Sequence, residues 1–195
     1  MDRQAGSSLW RDPFHTAYSR VPIMSSKLTL VLGGARSGKS RYAESLITAL
    51  PAPWIYIATA QPCDAEMAQR IAAHRRDRAG GWQTVEVPHE IAKAIAQAPP
   101  ALPILIDCLT LWLSNRMLAD ADVDSEFIAI EAALDARAGP AVLVSNEVGS
   151  GIVPENALAR RFQDLQGRLN ARVAARAGRV VLLVAGLPLV VKGSQ

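Results

Sequence analysis

The residues Gly33-Gly34-Ala35-Arg36-Ser37-Gly38-Lys39-Ser40 satisfy the pattern G-x-x-x-x-G-K-[ST] at every required position. That spacing suits phosphate. Glycines let the backbone curl so that several N–H groups point at one anion, and a helix starting behind them adds partial positive charge. Lys39 reaches the β- and γ-phosphates of a nucleotide, and the Ser40 hydroxyl can ligate Mg²⁺. A second acidic group should hold the magnesium from a neighbouring strand end. Asp107, directly after the apolar run Pro103–Ile106, has that position, because parallel sheets hold their ligands at the carboxyl ends of strands. The plainer reading of Asp107 is an N-cap or loop aspartate. The motif specifies nucleotide phosphate and leaves the base and the reaction open.

A second constellation lies in a helix predicted from Ala65 to Arg78 behind an Asp64 N-cap. Arg70, His74 and Arg78 recur there at i, i+4 and i+8, with Arg75 and Arg76 beside the stripe. Met67 and Ile71 share part of that face, so these residues alone favour a solvated basic surface with a histidine at the edge of the core. The chemical reading is a neutral imidazole that attacks an α-phosphorus while arginines stabilise the oxygens, giving a covalent nucleotidyl-histidine. His15 and His89 are weaker candidates: one lies near the N-terminus, the other follows a proline at a helix start. Glu147, in the loop straight after the apolar run Ala141–Ser145, is a candidate substrate contact or base for an alcohol acceptor. Alternatively Asn146, Glu147, Gly149 and Gly151 simply shape their loop.

These groups must be held by alternating strands and helices. Buried-strand runs are predicted at Lys27–Leu32, Trp54–Ala58, Pro103–Ile106, Ala141–Ser145 and Val180–Ala185, with an alternating strand at Trp82–Val87. Helices are predicted over Lys39–Leu50, His89–Ala98, Leu109–Leu118, Ser125–Ala138 and Glu155–Ala177. The last carries Leu158, Phe162, Leu165, Leu169 and Val173 at helical spacing. A turn at Gly186-Leu187-Pro188 and a strand at Leu189–Lys192 close the chain. Continuous apolar strands between helices specify an α/β fold: a mostly parallel sheet covered on both faces, in three layers.

Composition narrows the function classes. The chain has 195 residues, half of them apolar and a fifth charged, which is globular composition. Residues 1–23 are expected to be a flexible leader before a single catalytic domain at 24–195, with Met24 near the true start. The net charge of +3 is too small to argue for a nucleic-acid partner. No apolar run approaches membrane-spanning length. Cys63 and Cys108 form no metal-binding or disulfide pattern, which fits a reducing, cytoplasmic setting.

The runs LVLGGARSGKSRYAE, YIATAQ, EMAQRIAAHRRDR with Trp82 following, and VSNEVGSGIVPEN together resemble one family. It is the bifunctional adenosylcobinamide kinase / adenosylcobinamide-phosphate guanylyltransferase family of cobalamin biosynthesis. The resemblance runs from about Lys27 to Lys192, and the histidine block with NEVGSGIVPE makes it specific where the phosphate loop alone would not. It implies a RecA-like P-loop fold and a homotrimer. It also implies a two-stage use of ATP and GTP with Mg²⁺, the acceptor being the corrinoid adenosylcobinamide. By the same resemblance His74 is the guanylylated nucleophile, which reverses the balance at that residue. Gly33 to Ser40, Thr59, Ala60, Gln61, Arg75, Arg76, Asp77, Arg78, Glu86 and Asp107 match nucleotide-contact positions. Two other classes compete with this reading. One is a different small P-loop metabolite kinase in which His74 is structural. The other is a nucleotide switch or assembly ATPase, and the lack of an N-K-x-D motif counts against a GTPase switch.

Overall fold

A computed structural model of the protein describes residues 26–61, 65, 68–69 and 80–194. Seven strands form one sheet: β1 (Leu28–Gly33), β2 (Trp54–Ala58), β3 (Trp82–Glu86), β4 (Ile104–Asp107), β5 (Ala141–Asn146), β6 (Arg179–Val184) and β7 (Leu187–Lys192). Among the described residues five helices have both ends defined: α1 (Lys39–Thr48), α2 (Ile91–Gln97), α3 (Leu109–Leu118), α4 (Val123–Ala136) and α5 (Ala157–Arg176). Ala65, Ala68 and Gln69, at the start of the predicted helix 65–78, are helical as well. The strand order is β3-β2-β4-β5-β1-β6-β7, parallel throughout except for β7 against β6.

The apolar runs explain the layers. On one face Ile55, Ile57, Ile106 and Leu143 pack against Ile91, Trp112, Phe127 and Leu169 of α2 to α5. On the other, Val31, Tyr56, Leu105 and Val144 pack against Tyr42, Ala43, Leu46 and Ile47 of α1. Strands at the centre of the sheet are buried on both sides, which is why they read as unbroken apolar runs. Each fully buried Leu or Ile contributes roughly 2 kcal/mol of transfer free energy. The connection from β1 to β2 runs toward one edge of the sheet, and that from β5 to β6 toward the other. The carboxyl end of β1 therefore lies where winding reverses, the place at which such sheets hold ligands.

The outer strands depart from this pattern. Four of the five residues of β3 are exposed, and β7 leaves Leu187, Leu189 and Val191 exposed. The closing turn is Ala185-Gly186, not the predicted Gly186-Leu187-Pro188. Both turn residues have positive φ, 50° and 82°, as a two-residue hairpin requires. Pro188 therefore belongs to β7, where an outer strand tolerates its missing N–H. Helix starts shift by two residues where side chains cap them. The Asp122 carboxylate accepts from the Ser125 N–H at 3.3 Å, so α4 begins at Val123 rather than Ser125. A buried guanidinium braces the end of α2 and its connection to β4: Arg137 donates to the carbonyls of Ile95, Ala98, Pro99 and Leu102.

Candidate active site

The phosphate loop leaves β1 and enters α1 through Gly38, whose φ of 89° places it in the left-handed region that favours glycine. No side chain caps α1 and no acidic residue stands in its first turn, so the positive end of the helix is left for an external anion. Gly33 is required by close approach: a Cβ there would strike the Ser37 hydroxyl and come within 2.9 Å of the Leu183 carbonyl. The Gly186 N–H donates to the Ser37 carbonyl at 3.2 Å, tying the loop to the β6–β7 hairpin. Lys39 lies back across the loop, its Nζ donating to the Gly34 carbonyl at 3.1 Å. A phosphate oxygen can take over that ammonium without any backbone change. Ala35 and Arg36 are exposed at the lip.

Register brings the acidic positions to the same side. Ala58 pairs with both Asp107 and Glu86, so these three lie in one row across β4, β2 and β3. Side chains in that row point to the face that α1 covers, since Tyr56 and Leu105, two residues earlier, pack against that helix. Glu86 is exposed and Asp107 half-buried. The Tyr56 hydroxyl donates to Asp107 Oδ2 at 2.9 Å. The neighbouring Cys108 thiol is pushed up to about 12 by burial, with Asp107 adding to the rise and Lys39 opposing it. The charges of Asp107 and Lys39 thus act on one buried thiol, which stays protonated and unreactive at neutral pH. Asp107 and the Ser40 hydroxyl are hard oxygen donors, the kind that Mg²⁺ takes together with phosphate oxygens.

The segment after β2 divides its labour. Thr59 is fully buried, and its hydroxyl accepts from the Cys108 N–H at 2.8 Å and donates to the Cys108 carbonyl at 2.7 Å. Its N–H donates to the Asp107 carbonyl at 3.1 Å. Thr59 thus braces the end of β4, and its hydroxyl is not presented to a ligand. Ala60 and Gln61 are half-buried, and Gln61 Nε2 lies 3.2 Å from His89 Nε2. Glu147 follows β5; its Oε1 accepts from the Gly149 N–H at 2.6 Å, so one carboxylate oxygen shapes its own loop. Behind it, Gln166 and Asn170 of α5 bond Ser145 and the Asn146 carbonyl, and Gln163 bonds the Val148 carbonyl at 2.9 Å. A groove of about 590 Å³ between β3 and α2 is lined by Ile55, Ile57 and Val85 on the sheet face away from α1. Glu86 and His89 also line it, at the end of β3.

Residues 29–191 match the family described as cobinamide kinase / cobinamide phosphate guanyltransferase. The chain belongs to that family. It is 46% identical over 167 residues to the bifunctional adenosylcobalamin biosynthesis protein CobP of Pseudomonas aeruginosa, covering 84% of this chain and 96% of the relative. It is 41% identical over 181 residues to the protein CobU of Salmonella typhimurium, covering 85% of this chain and 99% of that relative. A solved structure from Pyrococcus horikoshii OT3 shares the fold with a TM-score of 0.50 at 9% identity, covering 87% of each chain. Membership of the cobinamide kinase / guanyltransferase family makes the protein an enzyme of a bifunctional class, kinase and guanylyltransferase in one polypeptide.

Within this family setting the structure brings Gly33 to Ser40, Asp107 and Glu86 to one face and end of the sheet. His74, Arg75, Arg76, Asp77 and Arg78 lie outside the described residues. Two residues gained weight only from the structure: Tyr56, which reads as core in the run Trp54–Ala58, and Asn115, whose Nδ2 bonds the carbonyls of Thr59 and Pro88. The clue available for Tyr56 was a polar-tipped ring inside an otherwise aliphatic buried strand, since such hydroxyls need a partner.

Proposed function

We propose that the protein phosphorylates the aminopropanol hydroxyl of adenosylcobinamide and then transfers GMP from GTP to the resulting phosphate, giving adenosylcobinamide-GDP. The observation that carries this reading is the uncapped start of α1 with Lys39 across its loop and Asp107 on the same face, in a chain of this family. In the kinase stage the acceptor oxygen attacks the γ-phosphorus of ATP or GTP. The bond from that phosphorus to the β–γ bridging oxygen breaks, the nucleoside diphosphate leaves, and the hydroxyl proton passes to a base. Backbone N–H groups at the start of α1 are pre-oriented toward the phosphate charge, and the Lys39 ammonium turns onto it from the Gly34 carbonyl. Mg²⁺ held by Ser40, Asp107 and phosphate oxygens would draw charge from the transferring group.

In the second stage a ring nitrogen of His74 attacks the α-phosphorus of GTP, the α–β bridging bond breaks and pyrophosphate leaves. A phosphate oxygen of adenosylcobinamide phosphate then attacks that phosphorus, the P–N bond breaks and the imidazole is regenerated. The relay splits one difficult displacement into two in-line steps, with Arg75, Arg76 and Arg78 offering guanidinium contacts to the oxygens. Gln61 and Glu86 are read as nucleotide contacts, and residues 24–195 as the catalytic unit. A homotrimer in a cytoplasmic setting completes the reading. The exposed apolar side chains of β7 support association, and no helix among the described residues is long and apolar enough to cross a membrane.

Incubation with α-labelled GTP and Mg²⁺ tests the proposal. The expected result is an acid-labile, base-stable label on the protein, absent from His74→Ala and discharged by adenosylcobinamide phosphate. Phosphorylation without any protein-bound label would instead leave a small P-loop metabolite kinase in which His74 is structural. Glu147→Gln in the phosphorylation assay separates a base, whose loss would stop turnover, from the loop-shaping role its bond to Gly149 supports.

A further inference from the structure

We propose that Tyr56 is the positioning residue for Asp107, fixing the orientation in which that carboxylate meets the hydrated cation of a bound metal–nucleotide. The inference rests on the assignment of Asp107 to the metal. Asp107 is the last residue of β4, and a carboxylate at a strand end has rotamer freedom that must be lost when it meets a cation. Tyr56 stands on the adjacent strand, one diagonal step back: it pairs with Leu105, and Asp107 is two residues further on the same face. Its hydroxyl spans that step and donates to Oδ2 at 2.9 Å. A bond to one oxygen settles the carboxylate's rotation.

The phenol is itself held. Tyr56 is 4% exposed, and its ring meets Trp82 edge-on, at 5.6 Å between centroids and 83° between planes. Trp82 in turn packs on Trp54 at 5.4 Å. The backbone at Asp107 is fixed by Thr59, the residue that follows β2, which bonds the Asp107 carbonyl and both sides of Cys108. Backbone and side chain of the acidic residue are therefore both set from β2 and the residue that follows it, before any ligand arrives. Partners that orient a metal-bound group in this way are commonly worth at least ten-fold in metal affinity.

Mn²⁺, which substitutes for Mg²⁺ and is visible by electron paramagnetic resonance, is titrated into full-length protein saturated with a non-hydrolysable GTP analogue. Tyr56→Phe is expected to weaken Mn²⁺ binding about 10-fold while leaving metal-free binding of the analogue unchanged. In an Asp107→Asn background the same substitution should add nothing. Wild-type Mn²⁺ affinity in Tyr56→Phe, with Asp107→Asn weakened, overturns the positioning role and spares the metal assignment. Wild-type affinity in Asp107→Asn overturns the metal assignment and this inference with it. Should Tyr56→Phe fail to fold, p-aminophenylalanine and p-fluorophenylalanine at position 56 fill the same space with and without a donor. Wild-type affinity with the amine and loss with the fluoride is the expected pair; equal affinities contradict the inference.

Discussion

Helices α1 and α5 follow neighbouring strands of one sheet, and they start in opposite ways. At α5 the Asn156 side chain accepts from the Ala159 N–H at 3.1 Å, and Arg160 bonds the carbonyls of Pro154 and Glu155. Further along, Arg172 and Arg176 are both committed to Glu131. At α1 the capping position is Gly38, no side chain closes the helix, and Lys39 rests on a backbone carbonyl of its own loop. Both helices cover the sheet with apolar faces, so packing does not separate them. What differs is local satisfaction. The end that stabilises the fold has its donors and charges paired, and the end that binds leaves them for a ligand to pair.

The largest expected effect tests the open end. Lys39→Ala should lower both phosphorylation and guanylylation by roughly 10²–10³-fold, the usual cost of one donor aimed at transition-state charge, with a thermal midpoint close to wild type. A large fall in stability with little loss of activity would assign Lys39 to the same structural class as the arginines of α5.

A smaller effect tests the closed helix. Arg172, and secondarily Arg176, hold the Glu131 carboxyl below the ordinary carboxylate range. A folded-state value below the unfolded one means that the ionised group stabilises the fold above the ordinary carboxylate range. That contribution is lost as pH falls through the lowered folded value. Glu131→Gln should therefore cost about 2 kcal/mol at neutral pH, and its denaturation midpoint should converge with wild type in acid. The least effect is expected from Asn156→Ala, about 1 kcal/mol of stability with nucleotide binding unchanged by calorimetry. A large loss of binding there would erase the distinction between the two helix starts.

Much of this contrast was legible in the residues. The run Trp54–Ala58 and the helix Leu109–Leu118 have the boundaries their patterns predict, because buried strands and strongly periodic helices leave few alternatives. The phosphate loop was legible for a different reason: its chemistry is local and its spacing fixed. Less accessible was whatever depends on which strands become neighbours. Tyr56 meets Asp107 only because β2 lies beside β4, and Thr59, expected at the nucleotide, is turned inward to Cys108 by the same pairing. The hairpin at Ala185-Gly186 was misplaced by one residue because an alanine at φ 50° carries no turn signal of its own. Sequence specifies the elements through periodicity, while cross-strand partners follow from their order.

The claim beneath all of this is that the uncapped start of α1 receives the triphosphate. A crystal structure of the protein with Mg²⁺ and a non-hydrolysable GTP analogue tests it most directly. The account predicts the β-phosphate within hydrogen-bond reach of the backbone N–H groups of Gly38, Lys39 and Ser40, with Lys39 Nζ moved from the Gly34 carbonyl onto a phosphate oxygen. A triphosphate bound elsewhere, with Lys39 still resting on Gly34, would contradict it.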